Sequence, residues 1–451
     1  MKHVLPEPSS TLGALAEFLA STPSASVPKN VMERAADCVL DCLSSASAGA
    51  GERAVASLLE VMNGSRTSRG GATLWYHGGS ADVAAAATVN ALSATILDVD
   101  DGHRRAKGHA GAAVISAALA AAEDLNTSYQ DFLAAVVMGY EAAVRVATSR
   151  VADRQVDTAS GIWSGVGAAV AVARLSGANP LQMAHAVLIA EQHSPQLASA
   201  MQHGFAGADV KEGIPWSVMT GIHAARLAIA GFSGYPRTFD LPNLYQIGKI
   251  AEDLQSFSVV PGTYIKPYAC CRWIHSAVDG VLDIMEGQNL SHDGIEFIEV
   301  KTFHRAVTLA NHVEPRTMVD AQFSIPFCVA LACAHGREAM LPLNPHAIKD
   351  RTVTGLAARV SVTFDAEMEG MFPVYAPAII TLRHSGITHM RRVESPFGEP
   401  ANPMSRQDIL IKFFRLGEPS LGKARIEAMG SALAAETSSI QPVRDLLSPL
   451  L

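Results

Sequence analysis

The chain has 451 residues, 49% of them hydrophobic and only 17% charged, with a formal net charge of -8. That length and apolar content suffice for a large buried core and point to two domains. No basic stripe of the kind a nucleic-acid binder carries is visible, so nucleic acid is not expected as a partner, and an anionic ligand would be held by a few local cations. The low charged fraction fits a large buried fraction or a large subunit interface.

From the N-terminus the chain reads as helix after helix. The opening residues lack the apolar core and cleavage site of a signal peptide. Apolar residues recur at helical spacing over Val31–Ala48, Ala81–Leu97, Ala110–Asp124, Tyr129–Ser149, Gly165–Leu175, Pro180–Ala190 and Ser217–Ala230. Several of these segments are almost wholly Ala, Val and Ile, the composition of helices buried on most sides. The richest stretches, Val83–Leu97 and Val166–Leu175, are too short to span a bilayer, so no membrane association and a cytoplasmic location are expected.

Near residue 255 the character changes. Ile295–Thr308 and Ala358–Phe364 alternate as strands do, and Ala378–Arg391 reads as a hairpin about Ser385-Gly386. Ala321–His335 is a helical apolar stretch between them. From Ser405 to Leu447 the pattern is helical again. The expectation is a mainly α protein: residues 1–258 form the first part of a large helical domain, 259–402 a smaller α+β lid, and 403–451 helices that return to the first domain.

The six cysteines, Cys38, Cys42, Cys270, Cys271, Cys328 and Cys333, form no C-x-x-C pair and no zinc-like cluster with histidine. Free thiols are expected, and Cys270-Cys271 shows no partner that would activate a nucleophile. His185, His193, His203 and His223 read as core or interface histidines. Gly165-Val166-Gly167 has no strand before it, so these are packing glycines rather than a nucleotide loop.

Four segments carry chemistry. Asp98–Gly111 packs Asp98, Asp100, Asp101, His103, Arg104, Arg105, Lys107 and His109 into a dozen residues of a charge-poor chain. On composition alone it is either a solvated loop or a site, and its own Arg and Lys oppose a bound cation, so no metal is expected. Lys211 stands in a turn before Glu212-Gly213-Ile214-Pro215-Trp216, where a surface lysine is the plainer reading. Tyr264–His275 holds Lys266, Arg272 and His275 ahead of a helix, a natural place to hold an anion. Asp320–Pro326 opens a helix and is uninformative alone.

In this order the four segments resemble the MmgE/PrpD family. The first motif stands as Asp98-Val99-Asp100-Asp101-Gly102-His103 followed by His109. Lys211 echoes the family's second lysine region, and Lys266-Pro267-Tyr268-Ala269-Cys270-Cys271-Arg272 its K-P-Y-x-x-C-R motif. Gln322–Phe327 and Glu399–Ser405 are also typical. The resemblance implies a large helical domain with an α+β lid, a cleft site, a homodimer, no cofactor, and proton chemistry beside a carboxylate of a small polycarboxylate substrate. It spans 2-methylcitrate dehydratases, cis-aconitate decarboxylases and iminodisuccinate epimerases.

Matched position by position, the resemblance implies Asp98, His109, Lys211 and Lys266 as catalytic residues. His103, Arg104 and Arg272 are the expected substrate-binding groups. Two positions depart: the family's threonine falls on Gly102 and its second histidine near Thr158. Loss of a hydroxyl and a histidine removes two helpers for a leaving group, which tilts the expectation toward an epimerase of an iminodisuccinate-like compound. A dehydratase or decarboxylase is the alternative, and a non-catalytic polycarboxylate binder a further one.

Overall fold

The computed structural model describes residues 5–67, 71–151, 159–195, 209–434 and 439–447. Helix Tyr129–Ser149 runs over the expected residues. Its neighbours differ from expectation by a few residues at their ends: Lys29–Gly49, Val83–Thr95, Gly111–Leu125, Gly161–Leu175, Pro180–Gln192 and Ile214–Ile229. Two helices, Ser10–Ser21 and Arg53–Met62, went unread in the sequence. Tyr129–Ser149 is long and apolar enough to cross a membrane, but 89% of its apolar window is buried inside the protein.

Glycine sets how closely the central helices cross. Gly139 and Gly167 face each other, and a Cβ on Gly167 would lie 2.6 Å from the carbonyl oxygen of Gly139 and 2.9 Å from Ala143 Cβ. The glycines read as packing residues in the sequence thus lie in helix Gly161–Leu175, where backbone meets backbone. A branched side chain has nowhere to go in an interior packed like a crystal. Gly167→Val is therefore expected to lower stability by about 1–3 kcal/mol. Urea titration should show a lower midpoint at an unchanged slope.

Two hydrophobic cores form. The first joins the helices above with Val259, Val260, Ile265, Met404, Ile409 and Phe413. The second gathers Tyr268–Cys271, Val278, Ile298, Phe303, Phe327, Ile380 and Leu416, and includes Val99 from the charged loop. The tail helix Arg406–Leu421 packs along Lys29–Gly49, where buried Lys412 donates to Asp41 and, at 2.7 Å, to the carbonyl of Val99. The charged loop is thus anchored from the far end of the chain.

A four-stranded sheet runs in the order Val360–Phe364, Ile295–Thr302, Ala378–His384, Ile387–Val393. Its first pair is parallel and the others antiparallel. The strand expected to reach Thr308 stops at Thr302, and a short helix, His304–Val307, follows. The expected hairpin turns at Ser385 and Gly386, both at positive φ (48° and 83°), the conformation a tight two-residue hairpin loop needs. Helix His275–Gly287 lies against the sheet, with Gly280 facing Ile380. The outermost strand exposes Arg391 and Arg392, a charged edge that discourages pairing with another chain.

Candidate active site

The loop after helix Val83–Thr95 is buried, not solvated. Asp98, Asp100, Asp101, His103, Arg104 and His109 are all under a tenth exposed. A two-residue strand, Gly102–His103, pairs antiparallel with Thr263–Tyr264, with Gly102 opposite Tyr264. That pairing joins the charged loop to the segment carrying Lys266 and Arg272. Asp98, Lys107, Lys211 and Glu212 all adopt positive φ (54°, 56°, 37° and 57°). A non-glycine residue pays strain for this conformation, and such residues collect at functional sites.

Lys211 Nζ donates to Asp98 Oδ1 and Lys266 Nζ to Asp98 Oδ2, each at 2.8 Å. Lys211 is 4% exposed, so the reading of a surface lysine does not apply. Burial alone would raise the pKa of Asp98, but the two ammonium groups beside it outweigh that and hold its carboxylate far below the usual range. Burial works against the charge of Lys211 too, and Asp98 overturns this by raising its pKa. Lys211 is therefore a charged ammonium group, not a neutral amine that could take a proton. Nor is Asp98 a free base, because both of its oxygens already accept from ammonium groups. Asp98, Asp100 and His109 have ligand atoms close enough together for a metal ion. Yet two ammonium groups already stand at Asp98, and a cation there would meet them at contact distance, so the donor set does not suit one.

His109 lies 3.8 Å by its Nε2 from Asp98 Oδ1. Its Nδ1 donates to the carbonyl of Asp101 at 2.7 Å and stands 3.4 Å from Asp100 Oδ2. Burial would lower the pKa of this imidazole, but the carboxylate of Asp100 prevails and lifts it to about 9. At neutral pH it is an imidazolium whose Nε2–H makes no hydrogen bond to the described residues. Its backbone N–H donates to Ser160 Oγ at 2.9 Å, and Ser160 is held through its hydroxyl and its backbone N–H by Glu212. Helix Gly161–Leu175 starts against the backbone of Glu212 and Gly213, so this brace is built into the helix packing.

Glu399 gathers the two arginines. Its Oε1 accepts from Arg104 and, at 2.8 Å, from Arg272 Nε. Both guanidinium groups lie against the ring of Tyr264, at 5.3 and 4.9 Å from its centroid. Arg104 Nε and His103 Nδ1 are buried without a hydrogen-bond partner. Burial, with Arg105 nearby, pushes the pKa of His103 down to about 3, so it is neutral.

A cavity of about 30 Å³ opens among these groups, lined by charged residues and by Trp273, Phe323 and Phe372. Of the residues expected from the sequence, Asp98, His103, Arg104, His109 and Arg272 line it. Lys211 and Lys266 touch Asp98 but are not part of its wall. Thr158, the second departure, and His203 lie outside the described residues. Of the other histidines, His185 is a core residue bonded to the carbonyl of Pro6 and to the backbone N–H of Gly234. His193 and His223 are exposed, so neither is the core histidine expected. All six cysteines are buried and unpaired, and burial pushes the thiol of Cys271 up to about 12, well away from a nucleophile.

Glu399, Glu212, Ser160 and Tyr264 were not singled out from the sequence. Glu399 and Tyr264 sit in or beside motifs that were noticed, and Glu212 is the neighbour of Lys211. Nothing local marks Ser160, which earns its place only through contacts across the fold.

The MmgE/PrpD N-terminal domain matches residues 13–246, and the MmgE/PrpD C-terminal domain matches residues 268–434. The chain belongs to the MmgE/PrpD family. That membership makes it an enzyme. It is 21% identical to a cis-aconitate decarboxylase of Aspergillus terreus (strain NIH 2624 / FGSC A1156) over 462 residues, covering 94% of this chain and 92% of that protein. It is 22% identical to the cis-aconitate decarboxylase-like protein oryM of Aspergillus oryzae (strain ATCC 42149 / RIB 40), over 79% of this chain and 80% of that one.

Proposed function

We propose that this member of the MmgE/PrpD family is a cofactor-independent lyase that removes a carboxylate from a small polycarboxylate and protonates the carbon left behind. The observation that carries the reading is the balance of acid and base. The cavity wall holds one strong candidate acid, the His109 imidazolium with its pKa lifted to about 9. The other lining groups are engaged or weak as bases: Asp98 is clamped by two lysines, His103 is depressed to about 3, and Glu212 accepts from the hydroxyl and backbone N–H of Ser160. Epimerisation and dehydration both begin with a proton taken from carbon and need such a base. Decarboxylation needs only a proton given: the C–C bond breaks, its electron pair stays on carbon, carbon dioxide leaves, and His109 delivers the proton.

The surroundings suit that sequence. Arg104, Lys107 and Arg272 face the remaining carboxylates, where charge from the carbanion is spread. Trp273, Phe323 and Phe372 offer a dry wall for the group that departs neutral. A void of about 30 Å³ has room for roughly two waters. This reading replaces the tilt toward an epimerase, which rested on missing groups at Gly102 and Thr158.

Proton NMR in D2O tests it, with cis-aconitate, citrate, 2-methylcitrate and iminodisuccinate supplied one at a time. The expected result is loss of carbon dioxide from one of them, with a single deuterium at the carbon that lost it. Exchange of a C–H with recovery of a diastereomer would instead establish an epimerase. A new vinyl signal with all carboxylates kept would establish a dehydratase.

A further inference from the structure

Gly102 has no side chain, and the space a side chain would fill is taken. A Cβ built on it would fall on the hydroxyl oxygen of Tyr264, the residue paired with it across the two-stranded sheet. The hydroxyl missing from the loop is thus present in space, brought in by the neighbouring strand. It lies at the cavity, and it makes no hydrogen bond to the described residues. Two buried polar atoms that also lack a partner, His103 Nδ1 and Arg104 Nε, belong to residues that line the same cavity. A buried polar group without a partner is costly, and two of them beside a free hydroxyl at one cavity mark a place where a polar ligand completes the bonding.

We infer that the Tyr264 hydroxyl is a direct hydrogen-bond donor to a substrate carboxylate, held in place by the absence of a side chain at Gly102. The inference rests on the reading that a polycarboxylate occupies this cavity, and it adds a contact residue that reading does not need. The guanidinium groups of Arg104 and Arg272 against the ring orient the phenol and make its O–H a better donor. Burial keeps the phenol protonated, as a donor must be. A ring laid over a glycine merely to fill a gap would need no hydroxyl at all, and this separates the two roles by experiment.

Calorimetric titration with cis-aconitate and with tricarballylate, which lacks a double bond and reports binding alone, is done on wild type, Y264F, G102T and the double variant G102T/Y264V. Y264F keeps the ring, so its thermal midpoint should be unchanged while affinity for both ligands falls by about 10- to 100-fold, the worth of one hydrogen bond to a charged group. G102T alone should also bind weakly, because its side chain displaces the phenol. The double variant returns a hydroxyl to the vacated space and should bind more tightly than G102T. Y264F affinity within about twofold of wild type, with the same fold stability, would overturn the inference. Binding by wild type without turnover, weakened in Y264F, would keep the tyrosine's role and discard the lyase reading. Failure of wild type to bind either compound would overturn both.

Discussion

Replacing Asp98 by asparagine is expected to remove most activity and to cost about 3–5 kcal/mol of stability, the penalty for leaving a buried charge without its partner. Lys211 and Lys266 both donate to this carboxylate from positions 4% and 0% exposed, so losing its charge strands two ammonium groups in a dry interior. The substitution keeps the side chain's shape, so the loss is electrostatic rather than a matter of packing. Its pH dependence follows. In the variant the unpaired lysines bind protons less tightly folded than unfolded, because burial and mutual repulsion disfavour their charge. Folding then releases protons, and stability rises with pH until the unfolded lysine pKa of about 10.4 is passed. The stability gap between wild type and Asp98→Asn should therefore narrow between about pH 7 and 10. A gap that stays constant over that range, in denaturation curves at several pH values, would show that the lysines are not stranded as the geometry implies.

The second large effect concerns His109. If its imidazolium gives the proton, kcat/KM should be flat below neutrality and fall on the alkaline side with an apparent pKa of about 9. The sign is decisive, since a base at this position would produce activity that rises toward pH 9. Removing the acid with His109→Asn should lower kcat by about 10²- to 10⁴-fold. Asp100→Asn removes the main cause of the raised pKa, so it should move the alkaline limb to lower pH while leaving some activity. An unmoved limb in Asp100→Asn would assign the titration to another group. The same shift contributes to stability: with its folded pKa raised above 6.5, the contribution of His109 is complete below pH 6.5 and is lost as pH rises through about 9.

The two results test different parts of one device. Asp98 is the electrostatic hub that keeps two cations close to the reacting region, and Asp100 tunes the acid. Neither is expected to move a proton itself. Asp101, third in the run, faces away from this work: its carboxyl accepts from the hydroxyl of Tyr140 and the backbone N–H of Gly111. Burial pushes its pKa up to about 7, the opposite direction from its neighbours. Three aspartates within four residues thus differ because of what each one meets, not because of anything in their spelling.

That contrast marks how far the sequence reaches. By itself it determined the helical framework, since apolar periodicity and alanine-rich runs survive in any environment that buries them. It determined the strand-forming region after residue 290 for the same reason, and the hairpin turn at Ser385-Gly386 through the backbone freedom that turn requires. Its four charged segments were legible because charge is scarce in this chain and because their order matches a family. Only the tertiary structure decided what the charges do. It set Lys211 and Lys266 on the two oxygens of one aspartate, lifted His109 above neutrality and drew Arg104 and Arg272 to Glu399. It also restored, through Tyr264, a hydroxyl that Gly102 appeared to have lost. A pKa depends on burial and on charges a few ångströms away; the partners of Asp98 and Glu399 lie more than a hundred residues from them, and even the nearby Asp100 acts on His109 only because the fold buries both.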